Sequence, residues 1–363
     1  MNDLARQEIP MGVTYNVLIL GASYGSLLGA KMALAGHNVN LVCLPEEAKL
    51  INEEGARVRL AARGVEGLVE LDTSKMTGKV TASGPAEVDP SQYDLVGLAM
   101  QEPQYGVPVL HDLLDRVAAA NVPCMSIMNM PPLTYLKRIE AIDSDAIKTS
   151  YTDASVWDKL DPSLMTLCSP DPQAFRPPTE KVNVLQVGLP TNFKAASFES
   201  DAHTGILKQI ESDIQAVRFN HDGNDVELPV KLRVHDSIFV PLAKWAMLIA
   251  GNYRCVQKDE MRPIKEAVHS NIAESRATYE WVVELCVKMG ADATDLVPFE
   301  KYANAALSLV NPSSAARALA GGAANIERVD KLVQTIAAGN GMQLDSLDST
   351  VELVDGWLER NRS

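Results

Sequence analysis

Residues 18–29 read LILGASYGSLLG, and what this stretch does fixes the architecture around it. An apolar run from Tyr15 ends at Leu20, Gly21 breaks it, and small residues then mix with leucines in a helical rhythm. The letters Gly21-Ala22-Ser23-Tyr24-Gly25 satisfy the G-x-S-x-G nucleophile elbow of a serine hydrolase, and they also stand where a dinucleotide-binding fold keeps its glycine-rich phosphate loop. Position separates the two readings. An elbow follows several strands, one of which brings the oxyanion amides, whereas only 14 residues precede the strand that begins at Tyr15. A phosphate loop belongs directly after the first strand of its domain. The stretch is read as a phosphate loop, and the chain as an α/β protein.

The neighbouring sequence extends that reading. HNVNLVCL (37–44) is a second strand and PEEAKLINEEG (45–55) a helix, which gives a βαβ unit of roughly 30 residues. YDLVGLAM (93–100) and VPCMSIMN (122–129) are further strands on either side of the helical PVLHDLLDRVAAAN. The alternation predicts a Rossmann-type parallel sheet covered by helices on both faces. Five prolines between Pro162 and Pro178 exclude a regular helix there and predict an extended excursion over 157–180, either a surface loop or a lid. VNVLQVGL and VELPVKLRV read as strands around the helix TGILKQIESDIQAV. Beyond Asp236 the pattern is wholly helical: Ile264, Val268 and Ile272 share one face, as do Val282, Leu285 and Met289 further along the same run. The expected division is a dinucleotide-binding domain, 1–233, and an all-helical substrate domain, 234–363.

Composition removes several function classes. With 363 residues, 46% of them hydrophobic, the chain can bury a large core, and its formal charge of −14 disfavours nucleic acid and anionic membrane as partners. The five cysteines are scattered and odd in number, as in a reduced cytoplasmic protein. The opening MNDLARQEIPMGV has no apolar core and does not read as a signal peptide, and Val17–Leu34 is too interrupted to span a membrane. The six histidines are dispersed with no H-x-x-x-H pair, so no metal site is expected. The apolar helical faces suffice for a homodimer, or for core packing alone.

Within the loop, Gly21 serves the turn, and the helix amides that follow it face a pyrophosphate. A G-x-G-x-x-G pattern would place glycine at Ser23 and Ser26, whose hydroxyls can instead bond phosphate oxygens. At the end of the second strand, where NAD enzymes carry an acid and NADP enzymes a basic group, stands Leu44 followed by Pro45, Glu46 and Glu47. Two carboxylates here repel a 2′-phosphate and incline the site to NADH.

Taken together, these segments resemble the ketopantoate reductase family, within the 6-phosphogluconate-dehydrogenase-like oxidoreductases that have a helical second domain. The likeness runs through most of the chain. In GHNVNLVCLPEEAKLINEEGARVRL, Leu44 stands where the family keeps an arginine for the NADP phosphate. In LAMQEPQY, Gln101 matches a cofactor-contacting lysine and Gln104 a glutamine. In SIMNMPP, Asn129 matches the asparagine beside the nicotinamide, and Met130 replaces the following glycine. VPLAKWAMLIAGNYRC resembles the first long helix of the second domain: Lys244 matches the lysine general acid and Asn252 the second of two substrate-binding asparagines, with Leu248 in place of the first. In NPSSAARALAGGAANIERVD, Ser313 or Ser314 matches the serine for the substrate carboxylate and Glu327 the glutamate near the substrate hydroxyl, with a spacing about one residue longer than the family's.

The resemblance implies an NADPH-dependent reductase of a small 2-oxo acid or related carbonyl compound, with Lys244 as general acid and Glu327 assisting. Asn129, Asn252, Ser313 and Ser314 would bind substrate; the sequence does not identify the carboxylate's charged partner, for which Arg254 and Arg317 are candidates. The cofactor would rest on Gly21, Ala22, Ser23, Tyr24, Gly25, Ser26, Leu44, Gln101, Gln104 and Asn129. Each residue also has a plainer reading: Lys244 a snorkelling lysine, Asn129 a turn former, Asn252 a helix end, Ser313 or Ser314 an N-cap, Glu327 a surface carboxylate. Two rival functions remain, an opine- or imine-type dehydrogenase and a non-enzymatic dinucleotide-binding protein.

Overall fold

A computed structural model describes residues 12–363. The reading of the N-terminal segment as no signal peptide therefore lies, up to Met11, outside the described residues. Among the described residues there are fourteen strands: β1 (Asn16–Leu20), β2 (Asn38–Val42), β3 (Arg57–Ala61), β4 (Leu68–Asp72), β5 (Val80–Ser83), β6 (Leu95–Leu98), β7 (Cys124–Ile127), β8 (Met165–Pro170), β9 (Gln173–Phe175), β10 (Val184–Leu189), β11 (Phe193–Ala196), β12 (Phe219–His221), β13 (Asn224–Val226) and β14 (Leu232–His235). The first five helices are α1 (Tyr24–Leu34), α2 (Pro45–Glu54), α3 (Pro108–Ala120), α4 (Leu133–Leu136) and α5 (Asp201–Ala216). After the last strand come α6 (Lys244–Met247), α7 (Ile264–His269), α8 (Ile272–Lys288), α9 (Phe299–Ala306), α10 (Ser314–Ala320), α11 (Val329–Gly339) and α12 (Asp345–Arg362).

The main sheet has eight strands in the order β14-β11-β8-β7-β6-β1-β2-β5, parallel throughout except between β8 and β11. Four of its strands lie in the βαβ units read from the sequence. Along β1 the side chains alternate: Leu18 and Leu20 join the apolar cluster shared with the helical part, while Val17 and Ile19 join a second cluster under α1 and α5. The first cluster is continuous from Leu18 to Leu358, so the helices after β14 pack directly on one face of the sheet. A smaller sheet, β4-β3-β10-β9, was not foreseen, and it takes VNVLQVGL out of the main sheet.

The proline-rich segment differs from its expectation. Met165–Pro170 is a fully buried strand between β7 and β11, with exposed residues before it at 158–161 and after it from β9 onward. Pro162 starts a single turn before the strand and Pro170 ends it, so both prolines lie outside its interior, where a missing N–H would cost a ladder bond. The helical run 264–289 also differs: it breaks at Ser270–Asn271, where the Asn271 side chain caps a new helix, and Ile272 is exposed while Ile264 and Val268 are buried. Val282, Leu285 and Met289 face the core.

The stretch VPLAKWAMLIAGNYRC is not one long α-helix. It is a 3₁₀ turn (240–243), the single α turn α6, a π turn (248–252) and a second 3₁₀ turn (253–255). The cause is Tyr302, whose hydroxyl donates to Met247 O at 3.0 Å, the carbonyl that an α-helix would pair with Gly251 N–H. A Cβ on Gly251 would lie 1.9 Å from that hydroxyl, so only glycine admits it. Among the described residues no helix is long and apolar enough to cross a membrane, and all five cysteines are free thiols.

Candidate active site

The loop after β1, expected from the sequence to hold phosphate, is built by close approach. Gly21 has φ +105°, and a Cβ there would meet Ala99 O at 2.8 Å. Its N–H donates to Val42 O at 2.9 Å, which ties the loop to the end of β2. Gly25 packs α1 onto β1, since a Cβ would meet Ile19 Cγ2 at 2.8 Å. The two serines that replace glycines differ. Ser26 Oγ donates to Ala22 O at 2.6 Å and is committed within the loop, whereas Ser23, at the N-cap of α1, makes no side-chain capping bond. No acidic residue sits in the first turn of α1, which leaves its amide end suited to an anion. Tyr24 turns its ring edge-on to Phe193; burial first, and then the charge of Glu327, raise it above an ordinary tyrosine.

At the end of β2, Leu44 is 74% exposed and offers no polar group to a ribose. Glu47, in contrast, is buried and paired with Arg176, which arrives from the β9 hairpin. The two acidic residues of this turn are thus not equivalent, and one of them is already neutralised. Sequence reading missed Arg176 because 129 positions separate it from Glu47.

A pocket of about 30 Å³ opens beyond the carboxyl ends of β6 and β7, lined by Gln101, Asn129, Leu248, Asn252, Tyr253, Ser314, Ala315, Ala318, Ile326 and Glu327. Residues from the sheet half and from the helical half meet there. This volume holds about two water molecules. The structure divides the two candidate serines. Ser313 is buried, caps α10 by accepting from Ala316 N–H at 3.2 Å, and donates to Asn252 O at 2.7 Å. Ser314 lines the pocket. Asn129 presents a buried Oδ1 with no hydrogen-bond partner. Gln101 faces the pocket, while Gln104 folds back so that its Oε1 accepts from Gln101 N–H at 2.9 Å.

Glu327 faces main-chain donors of the sheet half: Glu102 N–H lies 3.4 Å from its Oε1, and the Met130 amide favours its charged form. Burial, and the neighbouring Glu102 charge, push Glu327 up to about 7 against those donors. Glu102 is itself 1% exposed and accepts from Thr152 N–H and Oγ1–H at 3.0 and 3.1 Å, and burial pushes it up to about 7 as well. Neither carboxyl has a cationic partner among the described residues. Tyr253 lies below: its hydroxyl donates to Glu327 O and accepts from Val329 N–H at 3.0 Å. Glu102 and Tyr253 were not singled out from sequence, since a glutamate before a proline and a tyrosine in an apolar run carry no motif.

Lys244 does not line the pocket with Leu248 and Asn252. The π turn lies beyond it, at 248–252, and the ammonium is engaged instead by Asp171 Oδ1 at 3.3 Å and Pro170 O at 3.4 Å. The two arginines considered for a substrate carboxylate also lie elsewhere. Arg254 is buried against Ser275 and Glu274, and Arg317 is exposed with a bond to Pro312 O. Among the described residues no lysine or arginine lines the pocket. Among the described residues no group of three His, Cys, Asp or Glu could hold a metal ion.

Comparison with known proteins gives the arrangement its context. No family model and no curated protein matches the sequence. Solved structures do match, over nearly the whole chain. The 2-dehydropantoate 2-reductase from Methylococcus capsulatus superposes with a TM-score of 0.65 at 14% identity, covering 96% of this chain and 98% of its own. D-mandelate dehydrogenase, solved with NADH and anilino(oxo)acetate, gives 0.63 at 14% identity over 96% and 100%.

The chain has the ketopantoate reductase fold.

A ketopantoate reductase from Ralstonia solanacearum, described as putative, superposes equally broadly, at 0.62 and 13% identity over 96% and 99%. Here the ends of β6 and β7 and the helical half meet at one pocket, at the carboxyl edge where open parallel sheets place ligand sites.

Proposed function

We propose that the chain is a divergent member of the ketopantoate reductase family, a nicotinamide-dependent oxidoreductase that reduces a small 2-oxo acid or related carbonyl compound. The observation that carries this reading is the pocket in which Asn129, Asn252, Ser314, Gln101 and Glu327 meet, at the carboxyl ends of the strands that follow the phosphate loop. The loop residues suit a dinucleotide: Gly21 permits a close backbone approach, Ser23 keeps an uncommitted hydroxyl, and Asn129 keeps an uncommitted buried carbonyl. Gly21 to Ser26 would hold the pyrophosphate, with Leu44, Gln101, Gln104 and Asn129 along the rest of the cofactor. When bound, the cofactor supplies a hydride to the carbonyl carbon.

The chain's own groups handle orientation and the proton. Asn129, Asn252 and Ser314 are neutral donors that fix the carbonyl compound, and the walls must separate to admit it, because the present volume is smaller than a keto acid. Lys244, held on Asp171 outside the present pocket, reaches the carbonyl oxygen only once the walls have separated, and gives its proton there, a contribution of roughly 100- to 10,000-fold for a placed general acid. Glu327 bonds the resulting hydroxyl. Since no cation lines the pocket, a substrate carboxylate is tolerated beside Glu327 only while Glu327 is neutral, below about pH 7.

The test incubates the purified protein with NADH or NADPH and a panel of 2-oxo acids and aldehydes, each with and without an amine. Oxidation of the cofactor by a carbonyl compound alone supports the proposal. Turnover that requires the amine supports the imine-reducing alternative, and cofactor binding without any turnover defeats the reductase reading.

A further inference from the structure

Asp171 joins the two halves of the molecule through two lysines. It follows β8 directly, and its carboxylate lies 2.8 Å from Lys194 of β11 by Oδ2 and 3.3 Å from Lys244 of α6 by Oδ1. Its N–H donates to Asn192 O at 3.2 Å, which fixes the backbone of the turn. All three side chains are partly buried, with exposures of 22% for Asp171, 29% for Lys194 and 20% for Lys244, so the charges are only partly screened. Burial opposes the charge on Asp171, yet Lys244 and Lys194 outweigh it and hold the carboxyl below its usual range.

The place matters as much as the charge. Strands β7 and β8 pair in parallel with Ile127 opposite Cys168, so that Asn129 and Pro170 follow at equal steps past the carboxyl edge of the sheet. Pro170 O is the second acceptor of the Lys244 ammonium. The two acceptors together hold Lys244 at the strand edge next to the one that delivers Asn129 to the pocket.

We infer that Asp171 is the positioning residue for Lys244: it anchors the ammonium at the sheet edge, one strand from Asn129, and offsets the like charge of Lys194 beside it. The inference rests on the proposed role of Lys244 as proton donor. The other titratable groups around this cluster are Cys168 on β8, whose thiol senses Asp171, and His235 on β14, which senses Lys194, Glu211, Asp295 and Arg233. None of these supplies a second carboxylate to Lys244 within salt-bridge distance.

The experiment combines a spectroscopic and a kinetic readout. Lysines of the whole protein are reductively methylated with ¹³C, the Lys244 signal is assigned by its loss in Lys244→Arg, and its pH titration is compared in wild type, Asp171→Asn, Asp171→Glu and Lys194→Met. In parallel, the pH–rate profile of each unmethylated variant is measured with the carbonyl compound turned over fastest in the panel. The expected result is a titration midpoint lower by about one pH unit in Asp171→Asn, with the basic limb of kcat moving with it and KM changing less than kcat. Asp171→Glu restores both, and Lys194→Met moves both to higher pH. An unchanged midpoint in Asp171→Asn, or a moved midpoint with an unmoved basic limb, overturns the inference. If Asp171→Asn does not fold, Lys194→Met decides alone, and no movement in it is the overturning result. Should wild type reduce no carbonyl compound, the reductase reading fails, and the inference falls with it as a catalytic one. The midpoints then report separately whether Asp171 governs the ammonium.

Discussion

The main-chain N–H of Glu102 points at the carboxyl group of Glu327, 3.4 Å away and 225 positions later in the chain. One residue follows the strand edge of the sheet half, and the other precedes α11 of the helical half. Their meeting places two carboxyl groups without a cationic partner at the seam, both pushed up to about 7.

A pH dependence of stability follows. A carboxyl whose folded value lies above its unfolded value favours the folded state while protonated, so the contribution is complete below about pH 4.5 and is lost as pH rises through about 7. Glu102→Gln keeps the shape and cannot ionise. The variant should gain on the order of 1–3 kcal/mol relative to wild type between pH 5 and pH 8, measured by urea unfolding at both. An equal difference at the two pH values would contradict this account.

The two neighbouring serines should separate cleanly. Ser313→Ala removes a helix cap and a buried donor to Asn252 O, a loss of about 1–2 kcal/mol that a thermal melt detects. Ser314→Ala touches only the pocket, so its melting temperature should stay near wild type while KM for the carbonyl substrate rises. A melting change confined to Ser314→Ala would reverse the assignment.

Tyr302 controls the turn that carries Asn252. Removing its hydroxyl in Tyr302→Phe returns Met247 O to Gly251 N–H and converts the π turn towards regular helix. Because Asn252 then rotates about the helix axis, KM should rise several-fold with little change in dinucleotide affinity, and a crystal structure of the variant would show the altered turn. Retention of both the π turn and wild-type KM would refute the claim.

Lys244→Ala should lower kcat by roughly 100- to 10,000-fold and leave binding of NADH or NADPH near wild type, followed by energy transfer from tryptophan to the reduced nicotinamide. Full activity in the variant would transfer the proton-donor role to another group, with Glu327 next in line by its position in the pocket.

Much of the fold was legible because local pattern suffices for it. β1, α1, β2 and α2 fall within two or three residues of the segments read from LILGASYGSLLG and its neighbours, since an apolar run ended by Gly21 can hardly do anything else. The break at Asn271 and the buried strand Met165–Pro170 escaped, as a cap inside a periodic run and a strand fenced by prolines both look like something else in one dimension.

The sequence by itself determined the parallel sheet, the helical second half and the residue types that converge on the cleft, because periodicity, glycine placement and charge are properties of neighbours in the chain. Only the tertiary structure decided which serine faces the pocket, that Lys244 is bound by Asp171, that Arg176 neutralises Glu47, and that Glu102 and Glu327 share a seam. Those contacts join residues more than 60 positions apart. Their energies depend on distance and burial in three dimensions, and neither quantity is written in the order of the residues.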